Sequence, residues 1–171
     1  MKQHKLFWGS SYDRGLDIIL YMWPDVLKKF PDAELHICYG WNLFNEVAKT
    51  NPERRQWKEG VEILMQQKGI HHYGRLGKEE LTEVRRQCGI WAYPSYFTEI
   101  FCITALDAQR DGLVPVTTSL AALDETVGSG VKIDGDIKEP KVQKAFLEAL
   151  LDMMGDKEKW KKESQKAKKF A

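Results

Sequence analysis

The chain has 171 residues, 43% of them hydrophobic and 30% charged, with 26 basic side chains against 25 acidic ones. That composition belongs to a globular protein of about one domain and excludes disorder as a global description. A net charge of +1 excludes a chain-wide basic footprint for nucleic acid, and no apolar run approaches the roughly 18 residues that a membrane helix needs.

A secretory leader is not expected, because Met1 to Lys5 leads only into the short apolar stretch Leu6 to Trp8. The cysteines are Cys38, Cys88 and Cys102, odd in number and far apart within apolar segments. They point to a reducing, cytoplasmic setting rather than a disulfide framework.

Strand and helix alternate along the chain. Lys5 to Trp8 reads as a short buried strand, followed by turn chemistry from Ser10 to Gly15. Leu16, Ile19, Leu20, Trp23, Leu27 and Phe30 mark one face of a helix, with a kink expected at Pro24. Glu34 to Tyr39 is the second strand, stopped by Gly40. Asn51 and Pro52 form a helix start, N-cap followed by proline, for a helix expected to reach Lys68. Further strands are predicted at Ile70 to Tyr73, Ile90 to Tyr93, Val114 to Thr117 and Val131 to Ile133. The helices between them are predicted at Lys78 to Gln87, Ile100 to Arg110 and Ala121 to Val127. Pro140 opens another helix reaching about Met154, and Asp156 opens the last.

Six strand-then-helix units imply an α/β fold, a mostly parallel Rossmann-like sheet with helices on both faces. The chain divides into a domain over residues 1–155 and a basic helical tail over 156–171. That tail holds seven Lys and three acids, a net +4, and leaves −3 on the rest of the chain. Its apolar side is thin, namely Trp160, Ala167 and Phe170. It reads either as a solvated face or as a contact for a membrane surface or another acidic partner.

Ligands of open α/β sheets bind at the carboxyl ends of the strands. In the first loop Ser10 and Ser11 let a backbone approach a ligand, and Arg14 can pair with a phosphate. The alternative is an ordinary surface arginine in a turn. Beyond Tyr93 the chain turns through Pro94 to Thr98 and meets Glu99-Ile100-Phe101-Cys102. A helix starting there presents free N–H groups to an anion such as a diphosphate, and Glu99 can accept from hydroxyls. Asp107 follows about 12 Å along that helix, between Leu106 and Ala108, and reads as a buried acid in need of partners. Sugar hydroxyls would serve, as would a protein group. Adjacent His71 and His72 point to opposite strand faces, cannot chelate one metal together, and read as core and surface residues. Cys102 reads as a small core residue, the alternative being a helix-start thiol of lowered pKa.

These segments carry a resemblance. Asp13-Arg14-Gly15-Leu16, Phe30 to Leu35, Gly74-Arg75-Leu76, Lys78 to Leu81, Tyr93-Pro94-Ser95, Glu99 to Cys102, Asp107-Ala108 and Gly112 to Val116 together resemble the donor-binding half of GT-B glycosyltransferases. The most similar group is the large retaining one often called family 4. The likeness runs from about Leu6 to Met154 and implies one half of a GT-B fold that binds a nucleotide-diphospho-sugar, linked through UDP, GDP or ADP. By resemblance Arg14 holds the diphosphate, and amides of Ile100, Phe101 and Cys102 face it. Glu99 contacts hydroxyls of the transferred sugar, Asp107 the ribose, and Arg75 and Leu76 the base. No cofactor or metal is expected, because arginine and helix dipole replace it. Two positions depart from the family: Gly9 stands where a second arginine is common, and Asp107 where the ribose acid is glutamate. The acceptor half is the implied partner, with a lipid-linked acceptor or membrane periphery reached through the full-length enzyme. The tail then reads as cut short inside the last helix, which in the family crosses back to that half, and is expected to be frayed or docked on a neighbouring copy. A module kept for nucleotide binding or assembly is the alternative, and a sugar-nucleotide epimerase of like architecture a third reading.

Overall fold

Parallel neighbours cannot be joined by tight turns, so each strand here is followed by a helix that returns the chain to the starting edge. The computed structural model describes residues 1–171. The strands are β1 (Lys5–Trp8), β2 (Glu34–Cys38), β3 (Ile70–Gly74), β4 (Ile90–Tyr93), β5 (Val114–Thr118) and β6 (Val131–Ile133). The helices are α1 (Leu16–Lys29), α2 (Asn42–Ala48), α3 (Pro52–Leu64), α4 (Lys78–Gln87), α5 (Ile103–Arg110), α6 (Leu123–Thr126), α7 (Pro140–Gly155) and α8 (Lys157–Phe170). All six strands are parallel, in the order β3-β2-β1-β4-β5-β6. The strand order reverses direction between β1 and β4, which leaves a crevice at their carboxyl ends.

The central strands β1, β4 and β5 are buried along nearly their whole length, so both faces are covered. Helix α1 lies against α3 and α7 on one face. On the other, Arg85 of α4 ties to Asp111 at the end of α5, and α8 lies against α5.

Several local choices are explained by single groups. Asn51 caps α3 by accepting the Arg54 N–H at 3.2 Å, with Pro52 in the first turn. Pro24 sits inside α1 and cannot donate to the Leu20 carbonyl. The Gln67 side chain donates there instead, at 2.9 Å. Helix α3 ends at Leu64, not at Lys68, and Gln67 lies in the turn that follows, its side chain also donating to the Leu64 carbonyl at 2.9 Å.

Helix α2 is absent from the expectations. It buries Trp41, Phe44 and Ala48 toward Trp57 of α3. The tail also differs from expectation. Helix α8 docks on its own domain: Trp160 Nε1 donates to the Gly89 carbonyl at 2.8 Å, and Ser164 Oγ to that of Gly112 at 2.6 Å. Glu163 accepts the Gly130 N–H at 2.9 Å, and Ala167 is fully buried. Three hydrogen bonds supply what the thin apolar stripe lacked.

Candidate functional site

Two loops meet at the crevice between β1 and β4. The first makes a short 3-10 turn, Tyr12–Arg14, and passes through Gly15 at φ +130°. A Cβ on Gly15 would lie 2.1 Å from the Pro94 carbonyl oxygen, so only glycine lets the two loops touch. The Tyr96 N–H donates to the Arg14 carbonyl at 3.4 Å, which joins them directly.

Arg14 is thereby aimed at Glu99. Its Nη1 donates to Glu99 Oε1 at 2.9 Å, and the Tyr93 hydroxyl donates to the same oxygen at 2.7 Å. Glu99 is 7% exposed, and no protein group donates to its Oε2. Burial works to lower the Arg14 pKa, but the Glu99 carboxylate outweighs it and holds the guanidinium above its ordinary value. Burial, then the Glu99 hydrogen bond, push the Tyr93 phenol far up, so it stays a donor. The guanidinium also stacks on Phe97, 4.0 Å from the ring centroid.

The stretch after Glu99 corrects the sequence reading. Helix α5 begins at Ile103, with Cys102 as N-cap, so Ile100 and Phe101 belong to the loop. The Glu99 carbonyl accepts the Ala122 N–H at 3.2 Å, which diverts it from a helical turn. A bulky apolar run cannot by itself reveal that choice. Ile100 is 95% exposed, and Phe101 and Ile103 project outward beside it. The free amides at the head of α5 are those of Ile103 and Thr104, whereas the next two donate to the Cys102 carbonyl. Burial raises the Cys102 thiol to about 11, which sets aside a reactive thiolate there.

Arg75 and Leu76 line a cavity of about 230 Å³ with Gly9, Tyr39, Leu43 and Leu81 at the ends of β1 to β3. Tyr39 lies there at φ +132°, a conformation that costs a non-glycine residue strain. Gly9 is not an empty position: a side chain on it would meet the Phe7 ring at 2.6 Å. Asp107 is not a buried acid without partners. It is about one-third exposed, 2.7 Å from Arg110 and 3.9 Å from Arg85. Arg14, Glu99 and the α5 start are brought together, and Asp107 joins the arginines instead.

Sequence reading missed Tyr93 and Tyr12. Tyr12 is buried, accepts the Gly40 N–H at 2.7 Å and lies 2.9 Å from His72 Nε2, which shapes the turn before α2. For Tyr93 the signal was its place as the last residue of a strand facing the crevice.

A family model for glycosyl transferases group 1 matches residues 10–170. The chain belongs to that family. No curated protein matches it. Among solved structures it resembles a chain of the GtfA/B complex, with TM-score 0.76 and 15% identity over 99% of this chain and 32% of that one. Sucrose-phosphate synthase from Thermosynechococcus elongatus gives 0.72 and 17% over 97% and 39%. HepE from Anabaena, solved with UDP-glucose, gives 0.68 and 14% over 96% and 42%. These likenesses identify the fold as one α/β half of a GT-B glycosyltransferase, and the chain spans about a third to two-fifths of those chains' length. No helix is long and apolar enough to cross a membrane.

Proposed function

We propose that this domain binds a nucleotide-diphospho-sugar and serves as the donor half of a retaining glycosyltransferase. The observation that carries the reading is the Arg14–Glu99–Tyr93 cluster at the β1/β4 crevice, beside the head of α5. The base lies against Arg75 and Leu76, and the diphosphate meets Arg14 and the amides of Ile103 and Thr104. Oε2 of Glu99 takes a hydroxyl of the sugar. Asp107 is left out of the contacts, because both its oxygens face arginines. HepE with UDP-glucose and pneumococcal GtfA with UDP and GlcNAc support the ligand class through a shared fold.

The chemistry follows from charge. As the glycosidic bond breaks, negative charge grows on the leaving diphosphate. Donors already fixed in place stabilise it without reorganising, and Glu99 and Tyr93 hold Arg14 fixed. Three free, buried cysteines support a reducing, cytoplasmic setting.

Calorimetric titration against UDP, GDP, ADP and their sugars tests the reading. One nucleoside diphosphate should bind, and Arg14→Ala should weaken it by about 1.5–3 kcal/mol, the range for a hydrogen bond to a charged group. If none binds, the alternative of an assembly module takes over. The Phe7 ring against Gly9, where the family commonly has a second arginine, is the observation that favours it.

A further inference from the structure

The parallel register of β2 and β3 sets His36 directly opposite His71. Strand alternation then projects Glu34, His36, His71 and Tyr73 from one face. They lie side by side on edge strand β3 and its neighbour β2. His36 Nε2 lies 2.8 Å from Glu34 Oε2, and His71 Nε2 lies 3.9 Å from the same oxygen. The three potential ligand atoms all fall within 4.8 Å of one another. Lys5 Nζ, from β1, stands 3.0 Å from that oxygen.

We propose that Glu34, His36 and His71 form a binding site for a zinc-like divalent cation that ties edge strand β3 to β2. Two imidazoles and one carboxylate are donors that zinc accepts and that calcium and magnesium, which want oxygen, do not. Ligands at roughly 2.0–2.1 Å around a tetrahedral ion sit about 3.3–3.5 Å apart, so His71, whose ring is stacked on that of His36 with centroids 4.8 Å apart, must turn toward the shared oxygen to complete the set. His71 is half-exposed and leaves an approach from solvent.

The surrounding groups suit the task. The Tyr73 hydroxyl lies 2.8 Å from His36 Nδ1. Accepting the Nδ1–H there would free Nε2 for a metal, as outer hydrogen bonds do for ligating histidines. Lys5 is the competitor, since its ammonium must leave Oε2 when a cation arrives.

The test is dialysis of the untagged chain against ZnCl2 and CoCl2, with MgCl2 as control. One Zn²⁺ should bind per chain and raise Tm, and Co²⁺ should give the visible band of four-coordinate cobalt. Tyr73→Phe should weaken binding about 10–100-fold. His71→Ala should weaken it at least as much and remove the Co²⁺ band. Lys5→Met should tighten binding. No saturable Zn²⁺ binding, or binding unchanged by His71→Ala, would overturn the proposal. Should His71→Ala lose its fold by circular dichroism, His71→Gln carries the same test at an exposed position.

Discussion

Glu99 and Arg14 are one unit at the residue scale, not two independent contacts. Glu99→Gln keeps shape but removes the charge that fixes Arg14, so it touches both parts of a donor. The sugar loses a charged acceptor, while the diphosphate loses only the alignment of its arginine. Titration of Glu99→Gln should therefore show a larger loss for the sugar nucleotide than for the bare diphosphate. Equal losses would mean that Glu99 only positions Arg14. Asp111 makes a different case, away from the crevice. Its carboxylate is 3% exposed and takes Arg85 Nε at 2.6 Å, with Arg85 itself 4% exposed. Burial would raise its pKa, but Arg85 and Arg86 carry it below the ordinary value. A folded-state pKa below the unfolded one gives stability that is present above about pH 4 and lost as pH falls through the folded value. Asp111→Asn should thus cost about 3 kcal/mol at pH 7, the low end for breaking a buried pair, because Asp107 stays near Arg85. Urea melts of the two proteins should converge below the carboxylate range.

Helices with a capping signal or a clean stripe were legible at the scale of elements. Pro52 after Asn51 marked α3, and Leu81 with Val84 marked α4 at its observed bounds. Two elements were not legible, for physical reasons. Helix α2 lacks a side-chain cap and is seven residues long, so its stripe of Trp41, Phe44 and Ala48 spans barely two turns. The start of α5 depends on the Ala122 N–H, a partner more than twenty residues away. Helix α8 shows the same limit, because its anchors are single hydrogen bonds to loop backbone groups. That makes Trp160 the element's most informative position. Trp160→Phe keeps the ring but loses the bond to Gly89, and should cost about 1 kcal/mol. Trp160→Ala also loses the packing, and should cost about 3 kcal/mol, the lower end for a large aromatic. Equal stability of both variants and the parent in urea would mean that α8 contributes nothing to the domain.

For the whole molecule, six parallel strands followed from the alternation of units, but their order did not. Every permutation of crossovers satisfies the same alternation, and only packing selects β3-β2-β1-β4-β5-β6. The crevice depends on that order, because it makes β1 and β4 neighbours and so brings Arg14 to Glu99 across 85 positions of chain. The proposed ligand contacts come from loops after β1, β3 and β4, and all serve a donor. Transfer needs an acceptor held in near-attack geometry against the anomeric carbon, which can be worth about 7–11 kcal/mol. The side chains of Ile100, Phe101 and Ile103, just after Glu99, stand out into solvent. These 171 residues, assayed alone, should bind donor yet transfer no sugar. The measurement is transfer from a radiolabelled sugar nucleotide to a broad acceptor mixture, with and without a GT-B acceptor half supplied as a second chain. Activity only with the second chain is the expected outcome. Turnover by the 171 residues alone, near the roughly 10 per second of a median enzyme, would sink the half-site reading and require an acceptor site among these six units.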